Sequence, residues 1–342
     1  MGKARGPRLM FFHPEIISLY AASLLISFMM IYSFYYGMQI LRKWDLRSGS
    51  ELQLVLERKT YLISTLLACI FAFQLISLFL YVFTADRLHP LFVGAMCAAG
   101  TLKVNGFGYP ALIVKMVIFV FAGLWLILNY ADNRGYDYPL IRKKYALLLV
   151  MTPLILADMV FQFGYFLQLK PNIITSCCGS LFSSGEGTFT SEIASLPARP
   201  MKFLFCGAIG GTLASGLYHY RSGRGVYFFS VLSALFLLIS LASVVSFVSL
   251  YFYELPTHHC PFCLLQQEYG YVGYLLYAAL FGGAVAGMGT GVLAPFRRRE
   301  SLTAVVPRLQ KKLTLLALLL FLAFSAIVTY RMVFTDFILE GI

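Results

Sequence analysis

Eight long apolar runs, at residues 14–41, 61–84, 111–131, 145–169, 201–220, 226–253, 269–294 and 313–334, constrain this chain more than any other feature. Each is close to the ~20 residues that cross a bilayer as a helix. Backbone polar groups in lipid must be satisfied within the segment, so the runs are expected to be helices rather than open strands. Charged residues make up only 12% of the 342, and the mean hydropathy is +0.77. Both exclude a pair of soluble domains. The expected fold is an all-α polytopic membrane protein with about eight transmembrane helices.

The net charge of +12 comes from Lys and Arg gathered in loops, the pattern of positive residues kept in the cytoplasm. No DNA- or RNA-binding module and no nucleotide-binding loop is visible, so a nucleic-acid partner is not expected. Loops 42–60 and 132–144, the Arg221/Arg224 turn and the basic stretch before 313 carry 17 positive residues, against eight on the other side. That places both termini outside. Segment 89–107 could form a ninth span, but Lys103, Asn105 and several glycines favour a loop. The first run is too long for a cleaved leader and lacks a small-residue cleavage site, so it reads as a retained helix. The expected organisation is a membrane region at 1–131 with an outer loop carrying Cys97, a four-helix thiol bundle at 132–295, and a basic loop plus final helix at 296–342.

Seven cysteines are present. Cys69 and Cys206 lie inside apolar runs and are expected to pack as small apolar residues. Cys97, Cys177, Cys178, Cys260 and Cys263 all fall on the outer side. In a bacterial inner membrane that is the periplasmic side, where disulfides form and persist.

The strongest motif is His258-His259-Cys260-Pro261-Phe262-Cys263-Leu264-Leu265-Gln266, just before the run 269–294. A helix beginning at the motif would favour a thiolate at its N-terminus. A second thiol one turn on closes a small disulfide ring, giving a reversible two-electron switch. The same residues also read as a static disulfide or half of a zinc site. A second motif, Ser176-Cys177-Cys178-Gly179-Ser180-Leu181-Phe182-Ser183-Ser184, lies in the outer loop 170–200. Adjacent Cα atoms sit ~3.8 Å apart, below the usual disulfide range. A Cys177–Cys178 bond would be strained, and separate partners are equally plausible. Cys97 could pair with Cys177, dock a partner or be inert.

His258 and His259 flank the thiols. A protonated imidazole would stabilise a thiolate, and either ring is a metal ligand. A metal would draw on Cys177, Cys178, His258, His259, Cys260 and Cys263. Asp158 lies within the run 145–169, where an acid is costly and so a candidate for proton handling, with Gln162 one turn on. Lys115 and Arg331 are expected to snorkel. Gly207/Gly211 and Gly283/Gly287/Gly291 have the spacing of close helix packing.

The two cysteine motifs together resemble the vitamin K epoxide reductase family of membrane thiol oxidoreductases. In that family a helix leads to an outer loop with Cys and a Ser-Ser stretch, two helices follow, and C-x-x-C opens the fourth. Here the run 145–169 precedes Cys178-Gly179-Ser180-Leu181-Phe182-Ser183-Ser184, and the runs 201–220 and 226–253 precede Cys260-Pro261-Phe262-Cys263. The stretch Cys263-Leu264-Leu265-Gln266 is also similar to DsbB-type quinone-linked disulfide oxidases. The resemblance covers roughly 145–294; three helices precede it, and its two loop cysteines are adjacent. It implies a relay in which Cys178, with Cys177, exchanges with a partner's dithiol and then with Cys260, while Cys263 faces a quinone. The implied cofactor is ubiquinone or menaquinone with no metal, and Phe262, Gln266 and Tyr269 are candidates to hold it. The implied partners are a thioredoxin-fold periplasmic protein, the lipid bilayer and other membrane subunits. Two other functions fit the same residues: copper or zinc handling, or cofactor assembly, by the outer Cys/His cluster; and a non-catalytic membrane subunit with structural disulfides.

Overall fold

The computed structural model describes residues 14–44, 50–170, 174–175, 196–335 and 337. Apart from one bridge between Val93 and Ile174, the regular elements among the described residues are helical. The helices are α1 (Pro14–Lys43), α2 (Glu51–Arg87), the short α3 (Ala98–Leu102), α4 (Gly108–Asp132), α5 (Ile141–Leu167), α6 (Ala198–Ser222), α7 (Val226–Ser243), α8 (Val272–Leu293) and α9 (Val305–Phe334). A π-helical turn, Val244–Val248, and one further α-turn, Ser249–Tyr253, prolong α7.

Seven of these helices are long and apolar enough to cross a membrane, the architecture of a polytopic membrane protein. The fifth expected span forms α6, of 25 residues, but α6 is not among the seven. Lys202, His219, Arg221 and four glycines dilute its apolar content. Segment 89–107 makes no spanning helix; it holds a 3-10 turn at His89–Leu91 and the five-residue α3. Outward faces are apolar, as lipid requires: Leu25, Phe28, Tyr61, Phe203 and Phe334 are all exposed.

The chain forms two compact units. The first contains Met1–Thr84, Leu102–Ile173 and Phe296–Val306. In it α5 packs on α1 and α4 around Phe71, Trp125, Tyr145 and Leu148. The apolar face of α5 is covered by α1 and α4. Two buried ion pairs lie inside this unit, Lys115–Asp158 and Lys144–Asp132, each at 2.8 Å. Lys115 therefore does not snorkel: only 2% exposed, it bonds Asp158 and the Ser77 hydroxyl.

The second unit contains Ala85–Thr101, Ile174–Pro295 and Pro307–Ile342. Phe205, Phe236, Phe247, Phe321 and Phe324, from α6, the α7 segment and α9, form an aromatic core. In α8, a Cβ on Gly287 or Gly291 would collide with the side chains of Ser233 or Ser230 on α7. That part of the glycine stripe is a packing surface. Gly207 and Gly211 differ: nothing lies within 4 Å of where their side chains would be.

Candidate functional site: a buried trio of thiols

The second unit gathers three cysteines from two distant stretches of chain. Cys97 comes first. The last turn of α2 ends at Arg87, and the chain then bends through the His89–Leu91 turn. Gly94, at φ +86°, reverses it. A side chain there would meet the Thr175 carbonyl oxygen, and a left-handed φ disfavours any residue with a Cβ. Cys97 directly precedes α3, and its carbonyl accepts the amides of Gly100 (3.1 Å) and Thr101 (3.4 Å).

Cys260 and Cys263 arrive after α7. Glu254, at φ +56°, breaks that helix, and Cys263 opens a separate 3-10 turn ending at Leu265. Gly270 and Tyr271 are both left-handed, so α8 starts only at Val272. The C-x-x-C pair is therefore not the first turn of a long helix, and the dipole of α8 does not act on Cys260. The short turn is held by other means. Tyr253 donates its hydroxyl to the Cys260 carbonyl at 2.6 Å, and Tyr277 donates to the Pro261 carbonyl at 2.8 Å.

Asp86 joins the two stretches. Its Oδ1 accepts the Ala98 amide at 3.0 Å and the Gln266 side-chain amide at 3.3 Å. Gln266 also donates to the Met96 carbonyl at 2.7 Å. Carboxylate acceptors make the stronger hydrogen bonds, so this one side chain ties the residue after Cys97 to the segment after Cys263. The stretch before the adjacent cysteines is fastened here too. Thr175 donates its amide to the Val93 carbonyl (2.9 Å) and its hydroxyl to the Gly100 carbonyl (3.0 Å).

The result is a compact sulfur cluster. Cys97 Sγ lies 3.6 Å from Cys260 Sγ, and the sulfurs of Cys97, Cys260 and Cys263 all fall within 4.8 Å of one another. Cys97 and Cys260 are fully buried and Cys263 is 5% exposed. A separation of 3.6 Å is a thiol–thiol contact, not the ~2.05 Å disulfide bond. His258 Nε2 stands 3.3 Å from Cys263 Sγ. Burial holds the His258 imidazole below its usual pKa; Cys97 opposes that shift and His259 adds to it. The ring is thus neutral near pH 7 and can accept the Cys263 proton.

An aromatic chain leads away from this histidine. The Tyr253 ring packs edge-on against His258 (centroids 4.5 Å apart) and against Tyr269 (4.8 Å). Tyr269 lines a cleft of about 690 Å³ with Phe252, Val272, Ala326, Ile327, Tyr330 and Arg331. The Arg331 guanidinium lies 5.4 Å from the centre of the Phe252 ring, at the cleft wall. Burial raises the Tyr269 phenol pKa, which keeps it neutral.

The expected site residues are thus partly brought together. Cys260, Cys263, His258 and Cys97 meet. His259 turns away to the Val245 carbonyl in the π-helical turn, at 3.0 Å. Of the three residues suggested for a quinone, only Tyr269 lines the cleft. Gln266 is committed to Met96 and Asp86, and Phe262 is buried without lining it. Asp158 belongs to the first unit, paired with Lys115. Cys177 and Cys178 lie outside the described residues. The sequence does not mark Asp86 or Tyr253 as site residues, and it marks Arg331 only as a snorkelling cation. Asp86 reads as a flanking charge beside Arg87, and its only signal is an acid placed eleven residues before Cys97.

Chemically, three thiols at such separations can pass a disulfide among themselves, and they can also hold a metal ion. Comparison with protein-family models, curated proteins and solved structures returned no match.

Proposed function

We propose that this protein is a membrane thiol–disulfide oxidoreductase, exchanging electrons between external dithiol proteins and a membrane quinone. The observation that carries the reading is the third thiol: Cys97 Sγ lies 3.6 Å from Cys260 Sγ, with Cys263 in the same cluster. When Cys260 and Cys263 form a disulfide, a Cys97 thiolate is placed to attack Cys260. The Cys97–Cys260 bond forms, the Cys260–Cys263 bond breaks, and Cys263 leaves as a thiolate. The 3.3 Å contact with His258 gives that sulfur a partner for taking or releasing a proton. A sulfur displacement of only ~1.5 Å separates the thiol contact from the ~2.05 Å bond. Proximity of this kind removes most of the entropic cost of exchange.

Cys97 would connect outward to Cys177 and Cys178. Cys177 follows Thr175 by two residues in the chain. Thr175 is bonded to Val93 and Gly100, on either side of Cys97. The adjacent cysteines would then meet the partner, a thioredoxin-fold protein on the periplasmic side of a bacterial inner membrane. Oxidation of a dithiol yields a disulfide, two electrons and two protons, and a quinone accepts two of each. The Tyr269 cleft suits such a ligand: Phe252, Val272, Ala326 and Ile327 offer apolar wall, while Tyr269, Tyr330 and Arg331 offer donors for carbonyl oxygens. The order of the cysteine motifs, resembling the vitamin K epoxide reductase family, points the same way.

The test is quinone reduction by the purified protein with a reduced thioredoxin-fold substrate and a soluble quinone analogue. Cys260→Ala and Cys263→Ala should each abolish turnover, and Cys97→Ala should reduce it strongly. Full turnover in either C-x-x-C variant would reject the proposal.

A further inference from the structure

We propose that the reduced thiols of Cys97, Cys260 and Cys263 form a site for a thiophilic divalent cation of the zinc class, with His258, beside Cys263, turning in as the fourth ligand. The spacing carries the inference. With metal–sulfur bonds of ~2.3 Å, tetrahedral angles place neighbouring sulfurs about 3.8 Å apart. With a metal–nitrogen bond of ~2.0–2.1 Å, nitrogen and sulfur lie about 3.5 Å apart. The cluster has 3.6 Å between Cys97 and Cys260, all three sulfurs within 4.8 Å, and 3.3 Å from His258 Nε2 to Cys263. The three sulfurs therefore need adjustments of no more than about an ångström to reach one ion, and His258, in contact with Cys263, must turn toward the others to complete the site.

The ligand loops are also fixed in advance. The Tyr253 hydroxyl anchors Cys260, the Tyr277 hydroxyl anchors Pro261, and Asp86 anchors the residue after Cys97. Outer partners of this kind orient ligands and raise affinity. The ligand set differs from the one the motifs suggested. Cys97 enters, and His259, bonded to the Val245 carbonyl, stays out. Binding would displace up to three thiol protons and leave a net charge of −1 on the three thiolates, neutral imidazole and divalent cation. A bound cation occupies the sulfurs that disulfide exchange needs. Formation of the Cys97–Cys260 disulfide would in turn remove two of four ligands and release it. Binding rests on the reduced geometry alone; only this mutual exclusion rests on the proposed exchange.

The test uses the full chain in detergent, reduced and stripped with a chelator, titrated with Co²⁺ and then Zn²⁺. One Co²⁺ per chain should bind with the visible absorption of a tetrahedral thiolate complex, and Zn²⁺ should displace it. A variant with Cys69, Cys206, Cys177 and Cys178 changed to Ser should bind equally well. Cys97→Ser and Cys263→Ser should each weaken binding by more than the ~10–100-fold that outer-partner changes cost. His258→Ala should shift the cobalt bands while the chain stays folded by circular dichroism, so a misfolded Cys variant does not leave the question open. No tetrahedral cobalt spectrum, or a spectrum lost with Cys177 and Cys178 but retained without Cys97, overturns the inference. Exchange without cobalt binding removes the metal site and leaves the oxidoreductase; cobalt binding without exchange does the reverse.

Discussion

Replacing Asp86 with alanine cuts a carboxylate that ties the Cys97 turn to the C-x-x-C segment. Its Oδ1 accepts Ala98 N–H at 3.0 Å and the Gln266 amide at 3.3 Å. Hydrogen bonds to a charged acceptor are worth about 1.5–3 kcal/mol each. Asp86 is partly exposed and the second bond is long, so the low end applies, at about 2–3 kcal/mol for the pair. If that energy holds Cys97 against Cys260, its loss lowers the equilibrium constant for their disulfide by roughly 30- to 150-fold. Asp86→Asn keeps an acceptor and should lose much less. The assay is equilibration of the protein in glutathione buffers, followed by thiol trapping and mass spectrometry of the Cys97–Cys260 bond. An unchanged equilibrium in Asp86→Ala would refute the claim that this carboxylate positions the thiols.

Three further outcomes follow from particular contacts. Gly94→Ala forces a Cβ into the Thr175 carbonyl at φ +86°, costing about 1–2 kcal/mol of left-handed strain. It should slow exchange between partner and Cys97 without removing a thiol; stopped-flow exchange at wild-type rate would contradict the role given to Thr175. His258 has its pKa depressed by burial, so the folded state disfavours its protonated form. Its contribution to stability is present above the ordinary histidine range and is lost as pH falls through the folded value. The wild type should therefore lose more stability than His258→Gln between pH 7 and pH 5, and parallel melting curves would contradict this. Lys115→Met leaves the Asp158 carboxylate buried without its 2.8 Å partner and should cost about 3–5 kcal/mol, while Lys115→Met with Asp158→Leu should recover most of it, measured by unfolding in detergent.

The helical content was legible because a bilayer admits few alternatives and the apolar runs are long. The nature of 89–107 was legible too, since Lys103, Asn105 and its glycines argue against a span. What escaped the sequence is pairing at a distance. Cys97 and Cys260 are 163 residues apart, and nothing local marks them as neighbours. The two adjacent histidines look equivalent as letters; the π-helical turn captures His259 through the Val245 carbonyl and leaves His258 to face Cys263. The gap between the C-x-x-C pair and the start of α8 is set by Gly270 and Tyr271, which adopt left-handed backbone within an apolar stretch, and composition does not reveal that. For Lys115 the sequence predicts snorkelling, since its partner, Asp158, sits 43 residues away on another helix. Asp158 stands out in the sequence as a costly acid and a candidate for proton handling; the structure pairs it with Lys115.

The most direct measurement of the exchange is disulfide mapping of the protein trapped during turnover with a reduced dithiol substrate and a quinone analogue. The account predicts that Cys97–Cys260 and Cys260–Cys263 bonds both appear, and that Cys263→Ala accumulates the Cys97–Cys260 form. A Cys97 that stays a thiol throughout, in wild type and in Cys263→Ala, would contradict it.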